Sequence, residues 1–482
     1  MRTPALMVLG TGSHVGKSVI AAGLCALFHQ AGYRVAPFKA QNMSLNSAAA
    51  EGGEIGRAQA VQAAACGLAP TVDMNPILLK PCGPNQCQLI LQGHPHSIRS
   101  SADYGRYGGE ILAAVRESYA RLAAYADVII LEGAGSPAEI NLLDRDFANM
   151  WMAEHADARC LLVADIERGG AFAALYGTWQ LAPHRERIAG FVFNKFRGDS
   201  ALLGDGPARL LALTGVATLG VIPFQDPGLP EEDSLALPAP GGSDPMPTAN
   251  LRIGVLRLPY ISNFTDFEPL QRERGVELRY LDDPAHLALC DVVIIPGTKA
   301  TVADLEFLRR RGFEPAIRRH AALGKPLLGI CGGYQMLGEA IFDPAAIEGP
   351  RPETRGLALL PVTTHFEADK RVTTLGGAGG PANIEGYLIQ HGRVRIHGGT
   401  PMVEIAGNAE GCAVGNVCGV SPHGLLNSAA FRVPILEHWR AAVQKVAAAP
   451  LVPTGAPPSW PDHLRAHLDM KHIFSLMETA HD

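Results

Sequence analysis

The stretch Gly10 to Ser18, GTGSHVGKS, stands between the apolar run Ala5 to Leu9 and a helical pattern over Val19 to Phe28. Strand, glycine-rich turn and helix in that order suit a phosphate-binding loop. The glycines let successive backbone N–H groups converge on one anion, and the helix adds the positive end of its dipole. Gly10, Thr11 and Gly16 then shape an ATP cradle, Lys17 reaches the outer phosphates and Ser18 ligates Mg²⁺. Because the first glycine is Gly10, the loop is one residue longer than the common G-x4-G-K-[ST] spacing. The alternative is a glycine-rich turn that arose by chance, which the flanking strand and helix signals disfavour.

Apolar runs alternate with helical patterns behind this loop: Arg34 to Pro37, Val128 to Leu131, Cys160 to Ala164, Ile188 to Asn194 and Val216 to Pro223. Such alternation predicts parallel strands with helices on both faces. A second series follows at Arg252 to Leu256, Val292 to Ile295 and Pro326 to Ile330. At 482 residues the chain exceeds one ordinary core, so the reading is α/β, with two doubly wound parallel-sheet domains. The expected boundaries are an ATP-binding domain over 1–235, a Pro/Gly/Ala-rich linker over 236–250, a second domain over 251–447, and a Pro-rich connector with a docking helix over 448–482.

A net charge of −6 supplies no basic footprint for nucleic acid, and no apolar stretch reaches membrane-spanning length. With no signal-peptide pattern at the start, a cytoplasmic protein is expected. Nine cysteines, an odd and scattered set, read as thiols rather than a disulfide framework.

In the first domain, Glu132 closes an apolar run just before glycines, where a carboxylate can hold Mg²⁺ or merely cap a turn. Asn194, in FVFNKFRGD with Lys195 and Arg197, reads as an ATP contact at a base edge or as part of a solvated loop. Lys39, Gln41, Asn42 and Asn46 crowd together in KAQNMSLNSA, and Glu54 follows in GGEIGRAQ; amides beside a cation suit a substrate bearing carboxylates and amides. Cys82, Cys87, His94 and His96 fit no common zinc spacing.

In the second domain, KPLLGICGGYQMLGEA has the form of a nucleophile elbow, with Cys331 at a sharp turn between strand and helix. A helix N-terminus favours the thiolate. His423 in SPHG is the expected base, but Leu425, two residues on, supplies no carboxylate to orient its ring, which leaves a dyad. Gly297 and Gly332 are candidates for an oxyanion hole, the alternative for Gly297 being a simple turn.

Together these stretches resemble the cobyric acid synthase family of glutamine-dependent amidotransferases. The resemblance is carried by GTGSHVGKS, PFKAQNMSLNS, GGEIGRAQA, VDMNPILLKP, LEGAGSPAEINL, ADIERGGAFA, NKFRGD, LPYISNFTDFEPL, PGTKATVADL and GICGGYQMLG, which span nearly the whole chain. It implies a dethiobiotin synthetase-like P-loop domain joined to a class I glutaminase domain of the subgroup without a triad glutamate. It also implies ATP and Mg²⁺, glutamine as nitrogen donor, and adenosylcobyrinic acid a,c-diamide as acceptor. The b, d, e and g carboxylates would be amidated through acyl phosphates by ammonia released at Cys331. Three departures from the family pattern stand out. His14 occupies an acidic loop position, with Gly12 before it; GYLIQHG carries Leu388 and Gln390 where the family has a carboxylate and a histidine, leaving His391 as a substitute; and Pro422 precedes His423. The rival readings are the sister a,c-diamide synthase, a partitioning-type ATPase, and a pseudoenzyme that has lost its glutaminase.

Overall fold

The computed structural model describes residues 3–83, 85–100, 109–229, 250–375, 384–405, 408–445 and 458–478. The expected linker therefore lies outside the described residues except for Asn250, as does most of the Pro-rich connector.

Strand β1 (Ala5–Gly10) is apolar and fully buried because it lies at the middle of a six-stranded parallel sheet. It pairs on one side with Arg159–Asp165 and on the other with Val128–Glu132. Beyond these lie Ile188–Phe196 and Thr218–Pro223 on one side and β2 (Val35–Phe38) on the other. Strands covered on both faces read as continuous apolar runs, which is why they were visible in the sequence. Helix α1 (Lys17–Gln30) covers one face, and its Ile20, Leu24, Leu27 and Phe28 are buried there.

The second domain has its own six-stranded sheet, in the order Val276–Leu281, Leu251–Leu256, Val292–Ile295, Leu327–Ile330, Val417–Val420, Cys412–Val414. All its pairs are parallel except the last, which is an antiparallel edge.

Two antiparallel additions were not anticipated. In the first domain, Ile77–Gly83, Gln86–Leu91 and His94–Ser100 form a meander beside Gln41–Met43. In the second, the long strands Val362–Leu375 and Gly386–Ile396 pair with each other. Strands with one solvated face, or with few apolar residues, carry only weak periodicity. Cys82, Cys87, His94 and His96 belong to the meander, and among the described residues no group of three or more His, Cys, Asp or Glu side chains could hold a metal ion.

The expected terminal helix is two helices, Trp460–His467 and Met470–Glu478, split where Asp469 accepts the N–H of His472. They dock on the first domain, not the second. Trp460, Leu464, Leu468, Ile473 and Met477 join the core formed by α1 and the first sheet. The indole of Trp460 donates to the Val19 carbonyl at 2.7 Å. No helix among the described residues is long and apolar enough to cross a membrane.

Candidate active sites

The glycine-rich loop leaves the carboxyl end of β1 and turns into α1, at the carboxyl edge of an open parallel sheet where ligand crevices form. Gly16 has φ 104, a left-handed conformation, and a Cβ there would lie 2.1 Å from the Asn194 amide nitrogen. Asn194 itself donates to the Val15 carbonyl at 2.9 Å, so its amide nitrogen braces the loop backbone from the neighbouring strand. Lys17 folds back along the loop, with its ammonium donating to the carbonyls of Gly12 and Gly135 at 2.8 and 2.9 Å. His14 takes φ 62, and its carbonyl accepts from Lys195 at 2.7 Å.

Glu132, 1% exposed, comes up beside the loop because Val8 and Glu132 are in register across the sheet. Its Oε1 accepts from Ser18 Oγ and from Lys39 Nζ, both at 2.7 Å. Its Oε2 accepts from Gln62 at 2.6 Å and from Gln59 at 3.4 Å, both on helix α2 (Arg57–Ala65). A hydroxyl and a carboxylate side by side at the end of the loop are two hard oxygen donors, the set Mg²⁺ takes beside a nucleotide. The residues therefore fit the expected metal.

The expected substrate cluster divides. Lys39 and Asn42 stay near Glu132, with Asn42 donating to Gln59 at 3.1 Å, and Gln41 is buried beside them in sequence. Asn46 and Glu54 are instead spent on contacts with the second domain. The Asn46 side chain accepts the Phe264 N–H at 3.2 Å, while Ser47 donates its N–H to Asn263 at 2.9 Å. Glu54, fully buried, bonds Lys80 at 2.5 Å and Lys370 from the second domain. Burial alone would raise the Glu54 carboxyl, but the two ammonium groups hold it well below the usual carboxylate range.

Cys331 follows the buried strand Leu327–Ile330 and precedes the helix Gly332–Leu337. It has φ 50, an uncommon conformation for a residue with a side chain and one found at nucleophile elbows. Its N–H is anchored on the Val420 carbonyl at 2.8 Å. Gly332 opens the helix, so its N–H has no intrahelical acceptor. A Cβ on Gly297 would come within 2.5 Å of the His423 ring, so only glycine allows the imidazole this close to the loop.

His423, 1% exposed, corrects the expectation of a bare dyad. Its Nδ1 lies 2.7 Å from Asp266 Oδ2, and Asp266 Oδ1 accepts the Gly424 N–H at 2.8 Å. Asp266 is 2% exposed. Burial would push the imidazolium down, but the Asp266 and Cys331 charges outweigh it and hold His423 above its ordinary value. The carboxylate that position 425 lacks thus arrives from more than a hundred residues upstream, on the short helical turn Phe264–Phe267. The sequence signal was present in LPYISNFTDFEPL: a carboxylate flanked by two phenylalanines has little reason to be buried unless it is paired.

The departures surround this centre. Gln390 Oε1 lies 3.8 Å from Cys331 Sγ, and Leu388 is buried. His391 donates through Nδ1 to the Glu367 carbonyl, 3.1 Å away, and burial together with Lys370 and Lys299 lowers it to about 4, so it is neutral at pH 7. The backbone N–H and carbonyl of Tyr387 exchange 2.9 Å bonds with those of His423, so the GYLIQHG strand pins the histidine despite Pro422.

A model of the CobQ/CobB/MinD/ParA nucleotide binding domain matches residues 6–234, and one of the CobB/CobQ-like glutamine amidotransferase domain matches residues 252–431. Curated relatives match nearly end to end. The cobyric acid synthase of Desulforudis audaxviator is 48% identical over 476 residues, covering 95% of this chain and 94% of the relative. That of Rhodococcus jostii is 49% identical over 442 residues, covering 90% and 86%. That of Sorangium cellulosum is 45% identical over 490 residues, covering 94% of each.

Proposed function

The chain belongs to the cobyric acid synthase family, and from that premise we propose that it amidates the b, d, e and g carboxylates of adenosylcobyrinic acid a,c-diamide with ammonia drawn from glutamine. The observation that carries the nitrogen-donor half is the Cys331, His423 and Asp266 constellation. Cys331 thiolate attacks the carboxamide carbon of glutamine, and the N–H groups of Gly297 and Gly332 receive the oxyanion. His423, held by Asp266, protonates the departing nitrogen so that ammonia leaves. It then takes a proton from the water that hydrolyses the thioester, releasing glutamate and restoring the thiol.

In the first domain, the loop N–H groups and Lys17 would bind the ATP phosphates, with Asn194 bracing the loop. Ser18 and Glu132 would hold Mg²⁺, which when bound neutralises charge on the phosphates. Lys39, which bonds Glu132, would meet the carboxylate that receives the γ-phosphoryl group. Gln41 and Asn42 would bind the same acceptor, while Asn46 and Glu54 would act by holding the second domain in place. Ammonia then displaces phosphate from the acyl phosphate, giving the amide, ADP and phosphate.

The test is mass spectrometry of adenosylcobyrinic acid a,c-diamide incubated with protein and MgATP, with glutamine and separately with ammonium. Addition of four amides with both donors is expected. Conversion with ammonium alone would remove the glutaminase half of the reading, and no conversion with either would remove both.

A further inference from the structure

Cys331 and His423 line a cavity that is also lined by three lysines, Lys80, Lys299 and Lys370, and by Glu348. Two of the cations are already committed. Lys80 bonds Glu54 and Ser47, and Lys370 bonds Glu54. Among the described residues, the Lys299 ammonium has neither a hydrogen bond nor an ion pair, although its backbone is fixed by a 3.0 Å bond to the Tyr260 carbonyl. Glu348 is fixed as well, with Oε2 accepting the Thr301 N–H at 2.7 Å. The two side chains feel one another's charge without making contact.

Burial disfavours the charged form of both groups. Burial pushes Lys299 down and raises Glu348 to about 7, and their mutual attraction offsets this only in part. A ligand carrying one anion and one cation on neighbouring atoms would bring an opposite charge into contact with each. The α-carbon of an amino acid is such a ligand, and the nucleophile in the same cavity would act on its side-chain amide.

We propose that Lys299 binds the α-carboxylate and Glu348 the α-ammonium of glutamine, making this pair the element that selects a free amino acid over other carboxamides. The inference rests on the glutaminase reading above. It places the specificity for the donor on Lys299, two residues after the oxyanion-hole candidate Gly297 in the segment PGTK, and on the turn that carries Glu348.

The test uses the full-length chain and the variants Lys299→Met, Lys299→Arg and Glu348→Gln. Ammonia release is measured from glutamine, from 4-aminobutanamide, which lacks the α-carboxylate, and from glutaric acid monoamide, which lacks the α-amino group. Loss of one charge-assisted contact is expected to lower kcat/KM by on the order of 10- to 100-fold, carried mainly by KM. Lys299→Met should show that loss with glutamine and no further loss with 4-aminobutanamide; Glu348→Gln should show the same pattern with glutaric acid monoamide. Lys299→Arg should recover most of the glutamine activity. Ammonium-dependent amidation at the wild-type rate verifies that each variant is folded. A glutamine KM within twofold of wild type in both Lys299→Met and Glu348→Gln overturns the inference, as do losses that add to those of substrate truncation. In either case wild-type glutaminase activity leaves the underlying reading intact. Failure of the wild type to release ammonia from glutamine overturns both.

Discussion

The guanidinium of Arg57 lies over the ring of Tyr387, 4.7 Å from its centroid, and hydrogen bonds its hydroxyl across the boundary between the two domains. Tyr387 in turn stacks on His423 with ring centroids 5.6 Å apart. Arg57 opens helix α2, whose Gln59 and Gln62 bond Glu132 at the nucleotide loop. One helix therefore touches the glycine-loop centre directly and reaches the Cys331 centre through Tyr387. A cation over an aromatic face is worth about 1–2 kcal/mol when desolvated. Arg57→Ala should accordingly lower glutamine-dependent amidation by roughly 5- to 30-fold while largely sparing the ammonium-dependent reaction. Parallel assays with the two donors check this, and equal losses would count against it.

Asp266 offers a sharper comparison. Asp266→Asn keeps the shape but lets the amide donate toward Nδ1, which favours the wrong tautomer of His423. Glutaminase kcat should fall by on the order of 10³- to 10⁴-fold, with KM little changed. A loss below tenfold would show that His423 works without an orienting carboxylate.

Lys17→Ala should abolish amidation with either nitrogen source, because in the proposed reaction both converge on one phosphoryl transfer, and should spare basal glutaminase. Ammonium-dependent turnover at the wild-type rate would contradict the loop assignment.

Leu464 is fully buried against α1, where a Cβ on Gly23 would lie 2.2 Å from its methyl. Leu464→Ala should destabilise the first domain by about 2–5 kcal/mol through lost burial and the cavity left behind. Urea denaturation followed by fluorescence tests this, and an unchanged first-domain transition would mean that the terminal helices contribute little there.

Asp304 is fully buried, accepting from the Thr298 hydroxyl and from the Tyr260 N–H at 3.3 Å. Burial raises it to about 7, against the pull of those two donors. The folded state thus binds its proton more tightly than the unfolded chain does. Its contribution to stability is complete below about pH 4 and disappears as pH rises through 7. Asp304→Asn should flatten the decline in unfolding free energy between about pH 4 and 7, and an identical decline in both proteins would refute the assignment.

The sequence by itself determined the two parallel sheets, the loop Gly10 to Ser18 and the elbow at Cys331. Central parallel strands are buried on both faces and so spell uninterrupted apolar runs, and a glycine loop or a strained turn is a local property of the backbone. The strand ends containing Glu132 and Asn194 were legible for the same reason. Only the tertiary structure decided what long-range pairing controls. It brought Asp266 to His423 in place of Leu425, drew Asn46 and Glu54 from the expected cleft into the contact between domains, and returned the last two helices to the first domain. A buried carboxylate shows that it needs a partner, but which partner it meets depends on elements far apart in the chain packing together, and no local spacing encodes that.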